Sequence, residues 1–115
     1  MEFNSNQTVL SQIVAFVKRE IFSGRLAPGK KLMPIREFAS FLSVNPNTVA
    51  KAYAILEEEK LIYTDSTLGK FVCFNREFLK EKRKQYLESE MAIFKKQLED
   101  CGVSEEEFLC LAKKK

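Results

Sequence analysis

Pro46 leaves the chain around it little choice of structure. Proline breaks a helix interior, yet it suits the first helical position, where its missing N–H has no intrahelical partner to lose and its φ is already helical. The segment Val44-Asn45-Pro46-Asn47-Thr48-Val49-Ala50-Lys51-Ala52-Tyr53 places Asn45 before that proline. An asparagine there is a good N-cap, because its side-chain oxygen accepts an orphan backbone N–H of the first turn. Val49, Ala52, Tyr53 and Leu56 then recur at helical spacing and define one apolar face. A helix is therefore expected from Asn45/Pro46 to about Glu59. Its other positions carry Asn47, Thr48, Ala50, Lys51 and Ala54: short hydrogen-bonding groups, one cation and small alanines. A helix that is apolar behind and short, polar and non-acidic at its N-terminal front fits a helix that docks on DNA. It fits an ordinary capped amphipathic helix equally well.

The neighbouring segments narrow that choice. A first helix reads from Val9 to Ser23, with Thr8 as N-cap, a stripe of Leu10, Ile13, Val14, Val17 and Ile21, and Gly24 as the terminating glycine. Residues 25–32 form a turn-rich connector containing Pro28-Gly29. A short second helix is expected from Pro34 to Leu42, with Ile35, Phe38, Ala39 and Leu42 facing inward. About three residues then separate it from the Pro46 helix, which is helix-turn-helix spacing. The β-prone runs 61–64 and 70–74 flank the turn residues Asp65-Ser66-Thr67-Leu68-Gly69 and predict a hairpin, a wing following the helix-turn-helix.

After Asn75 the composition changes to Lys, Glu, Gln and Leu without Gly or Pro, predicting one long helix over residues 76–100. Leu87, Met91, Phe94, Leu98 and Cys101 form an a/d seam. Gly102 ends the helix. Ser104 and Glu107 read as a capping box for a last short helix to about Ala112, with Phe108, Leu111 and Ala112 apolar. The C-terminal Lys113 to Lys115 suit the negative end of that helix's dipole. The expected architecture is mainly α with a small β-hairpin: a winged helix-turn-helix domain over residues 1–74, then a two-helix dimerisation tail over residues 75–115.

Composition removes other function classes. The chain has no histidine, so the commonest general base and metal ligand are missing. Cys73, Cys101 and Cys110 are odd in number and form no C-x-x-C pair, which favours free thiols in a reducing cytosol over zinc or disulfides. Neither a paired-carboxylate cleft nor a phosphate loop is evident. No enzyme activity, metal or cofactor is expected. The first seven residues are polar and expected to be loose, and the start is unlike a signal peptide. The apolar run Ile13-Val14-Ala15-Phe16-Val17 is far below the ~20 residues that span a bilayer, so no membrane partner and a cytoplasmic location are expected. A net charge of +3 is compatible with nucleic acid without identifying it.

Together these residues resemble the GntR family of bacterial transcription regulators. The resemblance rests on Gln12-Ile13, Ile21-Phe22-Ser23-Gly24-Arg25-Leu26, Pro28-Gly29-Lys30-Lys31-Leu32, Arg36-Glu37-Phe38-Ala39, the Val44 to Tyr53 segment, Leu56-Glu57 and Gly69-Lys70-Phe71-Val72. The Pro46 segment and the short tail are similar to the YtrA-like subfamily. The resemblance implies a sequence-specific DNA-binding regulator, expected to be a repressor acting as a homodimer on an inverted-repeat operator in double-stranded DNA. It assigns DNA contact to Arg36, Asn45, Asn47, Thr48, Lys51, Gly69 and Lys70. Self-association falls to Leu87, Met91, Phe94, Leu98, Phe108 and Leu111. A tail this short has no room for a separate effector domain.

The chain also departs from the family pattern. Met33-Pro34 replaces Pro-Ser and loses a cap for the second helix, Lys60 stands where glycine is usual, and the wing lacks its first glycine. Asp65 would repel phosphate, so a weaker wing is expected, with Lys70 as its cation. The alternative function is a winged-helix protein-docking module, whose exposed face should be apolar or acidic rather than polar to basic.

Overall fold

The computed structural model describes residues 8–113; the readings for residues 1–7 and for Lys114 and Lys115 lie outside the described residues. The order is α1 (Val9–Phe22), α2 (Ile35–Leu42), α3 (Pro46–Glu58), β1 (Ile62–Asp65), β2 (Gly69–Val72), α4 (Arg76–Asp100) and α5 (Glu105–Ala112). The chain divides into two compact units, one ending at Lys80 and one beginning at Glu81.

In the first unit, α3 packs on both α1 and α2 and touches β1. Its apolar stripe Val49, Ala52, Tyr53 and Leu56 is buried against Ile13, Val17 and Ile21 of α1 and Phe38, Ala39 and Leu42 of α2, within one continuous core. Asn, Thr, Val and Tyr are mediocre helix formers, each about 0.5 kcal/mol worse than Ala. Burying Leu56, or the ring of Tyr53, is worth about 1.5–3 kcal/mol apiece, so tertiary packing sets this helix. Asn45 caps it, its Oδ1 accepting the Asn47 N–H at 2.8 Å. Thr8 caps α1 likewise, accepting the Ser11 N–H at 3.0 Å. Pro34 gives α2 no side-chain cap, the loss expected from Met33-Pro34.

The link between α2 and α3 turns at Ser43, which is left-handed at φ 58°. A non-glycine residue there costs about 1–2 kcal/mol. The half-buried Val44, packed against the core and donating its N–H to the Ala39 carbonyl at 3.0 Å, offsets that cost. Lys60 is also left-handed, at φ 66°, which explains why glycine suits that position.

The hairpin pairs antiparallel, Ile62 with Val72 and Tyr63 with Phe71. Ile62 and Val72 face the core, while Tyr63 and Phe71 stack on the other side with ring centroids 5.6 Å apart. The strands are shifted from the expected 61–64 and 70–74. Leu61 is held at the end of α3, its N–H donating to the Leu56 carbonyl, and the chain leaves β2 at Val72, so Phe74 lies outside the strand and exposed. The connector 29–32 pairs with the free edge of β2. Gly29 N–H donates to Val72 O (2.9 Å), Val72 N–H to Lys30 O (2.8 Å) and Leu32 N–H to Lys70 O (2.8 Å). A segment that reads as turn from its Pro-Gly therefore anchors the wing to the body.

In the second unit, α4 turns at Gly102 (φ 74°) into α5. Ser104 Oγ accepts the Glu107 N–H at 3.1 Å. The return arm of the expected capping box is absent, since Glu107 makes no side-chain bond back to Ser104. Its neighbour Glu105 instead pairs with Lys95 at 3.2 Å, clipping α5 to α4. The Phe94 and Phe108 rings meet edge to face at 5.2 Å.

Candidate nucleic-acid interface

The exposed side of α3 complements its buried stripe residue for residue. Asn47, Lys51, Ala54 and Glu58 are exposed, and Thr48 and Ala50 are half-buried at the margin. Asn47 and Lys51, one turn apart, share the N-terminal end, where the backbone N–H groups and the positive end of the helix dipole also lie. Asn45 stands at the same end, its side-chain oxygen committed to the cap and its amide NH2 remaining. Arg36, in the first turn of α2, is exposed. Neither Arg36 nor Lys51 forms an ion pair among the described residues. Three other cations of this unit do: Lys18 with Glu59 at 2.9 Å, Lys70 with Glu57 at 3.5 Å, and Arg25 with Glu20. Charge is thus left uncompensated at two of the positions the sequence assigns to DNA.

Tyr53 fixes this face from behind. Its hydroxyl donates to the Met33 carbonyl at 2.7 Å, tying α3 to the segment that leads into α2. Burial pushes its phenol far above the usual range, so it stays a donor at any physiological pH.

The wing tip is built by Asp65. Its Oδ1 accepts the N–H of Thr67 (2.9 Å), the Thr67 hydroxyl (2.8 Å) and the N–H of Leu68 (2.9 Å). These bonds, the Thr67 backbone first, hold its carboxyl below the ordinary 3.8. The residue that reads from sequence as a liability toward phosphate organises the turn that replaces the missing glycine. Gly69 follows at φ 111°, and a Cβ there would stand 3.1 Å from the Lys31 side chain. Lys70 does not extend from the wing. Its Nζ donates to Thr64 Oγ1 at 2.7 Å and pairs with Glu57 of α3. The Thr64 hydroxyl in turn donates to the Glu57 carboxylate, which is held below its ordinary value first by that bond and, against the opposing effect of burial, by the charge and hydrogen bond of Lys70 and the charge of Lys60.

Lys31 is the cation that sequence reasoning passed over. It is exposed, forms no ion pair among the described residues and lies across Gly69. With Met33, Ile35, Tyr53, Asp65 and Gly69 it lines a groove of about 430 Å³ between the wing and the start of α2. The signal was present in Lys30-Lys31, but only the pairing of the connector with β2 brings it to the wing.

In the second unit Met91, Phe94 and Leu98 of the expected seam and Phe108 of the last helix line one groove of about 410 Å³. Leu87 and Leu111 lie outside it, each at least half exposed. Leu109, which the sequence reading missed, lines the groove, whereas Ile93, also exposed, does not. Glu105, Phe108, Leu109 and Ala112 form an i, i+3, i+4, i+7 face on α5 that could have identified it. Among the described residues no cluster of His, Cys, Asp or Glu could hold a metal ion, and no helix is long and apolar enough to cross a membrane.

Known proteins share this arrangement. The HTH-type transcriptional repressor YtrA of Bacillus subtilis is 34% identical over 82% of this chain and 68% of its own. The solved structure of a GntR family transcriptional regulator from Listeria monocytogenes superposes with a TM-score of 0.90 at 30% identity, covering 98% of this chain and 99% of that one. The DNA-binding domain of AraR in complex with operator ORX1 shares the fold at 22% identity, with a TM-score of 0.56 over 64% of this chain and 89% of its own. The family model describing bacterial regulatory proteins of the gntR family matches residues 10–72, from α1 to the end of β2. These relatives are transcription regulators rather than enzymes, and with more than half its length in the matched region, this chain belongs to the gntR family as a DNA-binding transcription regulator.

Proposed function

We propose that the protein is a homodimeric repressor that binds an inverted-repeat operator in double-stranded cytoplasmic DNA. The observation that carries this reading is the exposed N-terminal front of α3, where Asn47 and Lys51 stand beside the first-turn N–H groups, and where Lys51, like the exposed Arg36 of α2, forms no ion pair among the described residues. Asn47 and Thr48 suit base edges, since an asparagine amide pairs with adenine and a threonine methyl packs on thymine. Asn45 and the first-turn N–H groups suit phosphate, and Arg36 and Lys51 suit phosphate or a guanine edge. Gly69 and Lys31 place backbone and charge where a wing meets the neighbouring groove. A protein-docking role fits this face poorly, because its front is neither apolar nor acidic.

Homodimerisation is supported by the apolar surface of α4 and α5. Met91 is 70% exposed, and Phe94 remains 44% exposed even with its ring packed on Phe108, so apolar surface is left uncovered on this unit. A second copy of the same face is the economical cover, since most soluble oligomers are symmetric homodimers. The repressor assignment follows the name of the Bacillus subtilis relative.

A gel shift on the DNA upstream of the protein's own gene tests the reading. A sequence-dependent, salt-sensitive shift is expected. Arg36→Ala and Lys51→Ala should each weaken it, with a salt slope smaller by about 1 wherever the lost group held a phosphate. Wild-type protein that shifts neither this DNA nor selected random duplexes would sink the proposal.

A further inference from the structure

We propose that Glu57 is a competitor for Lys70 built into the recognition helix, so that the wing of the free protein offers DNA its backbone while its own lysine is withheld. The inference rests on the DNA-facing role of α3 and the wing proposed above. Glu57 lies near the C-terminal end of α3, Thr64 in β1 and Lys70 in β2, so one carboxylate joins the helix to both strands of the hairpin. The ammonium of Lys70 has two partners, Thr64 Oγ1 at 2.7 Å and Glu57 Oε1 at 3.5 Å, and the Thr64 hydroxyl donates to the same carboxylate oxygen. A phosphate that takes Lys70 must displace this carboxylate, and the Glu57 charge is then left close to DNA with the Thr64 hydroxyl and the Lys60 charge but without its lysine partner. Lys31, which forms no ion pair among the described residues, lies on the connector paired with β2, its side chain beside Gly69. The wing therefore holds one available cation and one reserved one, and Glu57 lowers sequence-independent affinity by acting through Lys70.

A purely structural brace makes the opposite prediction. If Glu57 only held the hairpin against α3, removing its charge would loosen the wing and weaken binding. The test is a double-mutant cycle of Glu57→Gln and Lys70→Met in the full chain. Binding of a mixed-sequence duplex of about 30 bp is measured by anisotropy between about 50 and 200 mM salt. Glu57→Gln should steepen the dependence of log affinity on log salt by about 0.9, the signature of one added phosphate contact. Its gain in affinity should be about threefold larger at the low-salt end than at the high-salt end. In the Lys70→Met background the same change should give no steepening. An unchanged slope, a loss of affinity, or an equal gain with methionine at position 70 would each overturn the proposal. Wild-type protein that bound no duplex at any salt would overturn the DNA-facing reading itself, and this inference with it. That result is distinct from normal wild-type binding with a flat cycle.

Discussion

Replacing Met91 with glutamate should separate the protomers without unfolding them. Met91 is 70% exposed in the single chain, so its own fold loses little when the thioether is removed. In a symmetric dimer the exposed part of the side chain becomes buried. Full burial of such a side chain is worth about 1.5–3 kcal/mol, so covering the remaining 70% is worth about 1–2 kcal/mol in each protomer. The isologous interface counts this twice, giving about 2–4 kcal/mol for the dimer and a dissociation constant raised about 30- to 1,000-fold. Glutamate adds the cost of desolvating two carboxylates, and Glu88 and Glu105 already line the same groove, so the upper end is expected. Sedimentation equilibrium of both proteins reads this directly, with far-UV circular dichroism as the check on folding. The reasoning is refuted if Met91→Glu stays dimeric with an unchanged constant, or if the wild-type protein is monomeric at concentrations of about 50 μM, where an interface of ordinary size should be filled.

Further outcomes follow from single contacts. Tyr53→Phe deletes the bond to the Met33 carbonyl and should cost about 1–2 kcal/mol in urea unfolding, with DNA affinity lowered because α3 is no longer hydrogen-bonded to the segment that leads into α2. Lys60→Gly relieves a left-handed residue but adds unfolded-state entropy, so a net gain of up to about 1 kcal/mol in thermal unfolding is expected. Asp65 has a carboxyl pKa held below the ordinary 3.8 in the folded wing, so its contribution is fully present above 3.8 and is lost as pH falls through the lower folded value. The protection of the Thr67 and Leu68 amides relative to intrinsic exchange at each pH should fall over that acid window, and Asp65→Ala should lack that protection already at neutral pH.

The parts of the fold that local chemistry dictates are legible in the order of residues alone. Thr8, Asn45 and Ser104 each cap the helix expected of them, because a cap acts within three residues of itself. The stripe on α3 is buried in full because helical periodicity alone selects it. What the residue order conceals depends on contacts between distant segments. The 29–32 connector reads as turn, yet it pairs with β2 some forty residues later and carries Lys31 to the wing. Lys70 reads as an available cation because Glu57 lies on another element. Asp65 reads only as a negative charge because its part in the turn depends on N–H groups that reach its Oδ1 once the turn has formed. In the tail Met91, Phe94 and Leu98 of α4 and Phe108 of α5 are visible from their spacing, and Leu109 is legible only from the face that Glu105, Phe108 and Ala112 share with it, while Leu87 keeps the spacing and lies outside the groove.

Selection of bound sequences from a pool of random duplex DNA tests the account most directly. Two copies of α3 held by a symmetric tail should enrich inverted repeats whose half-sites lie about 10 bp apart, centre to centre, or a multiple of one helical turn. Met91→Glu should enrich the same half-site without its partner, if it enriches anything. A pool that emerges unenriched, or that yields a site with no two-fold relation for the wild-type protein, would contradict the reading of α3 as one of a pair of recognition helices.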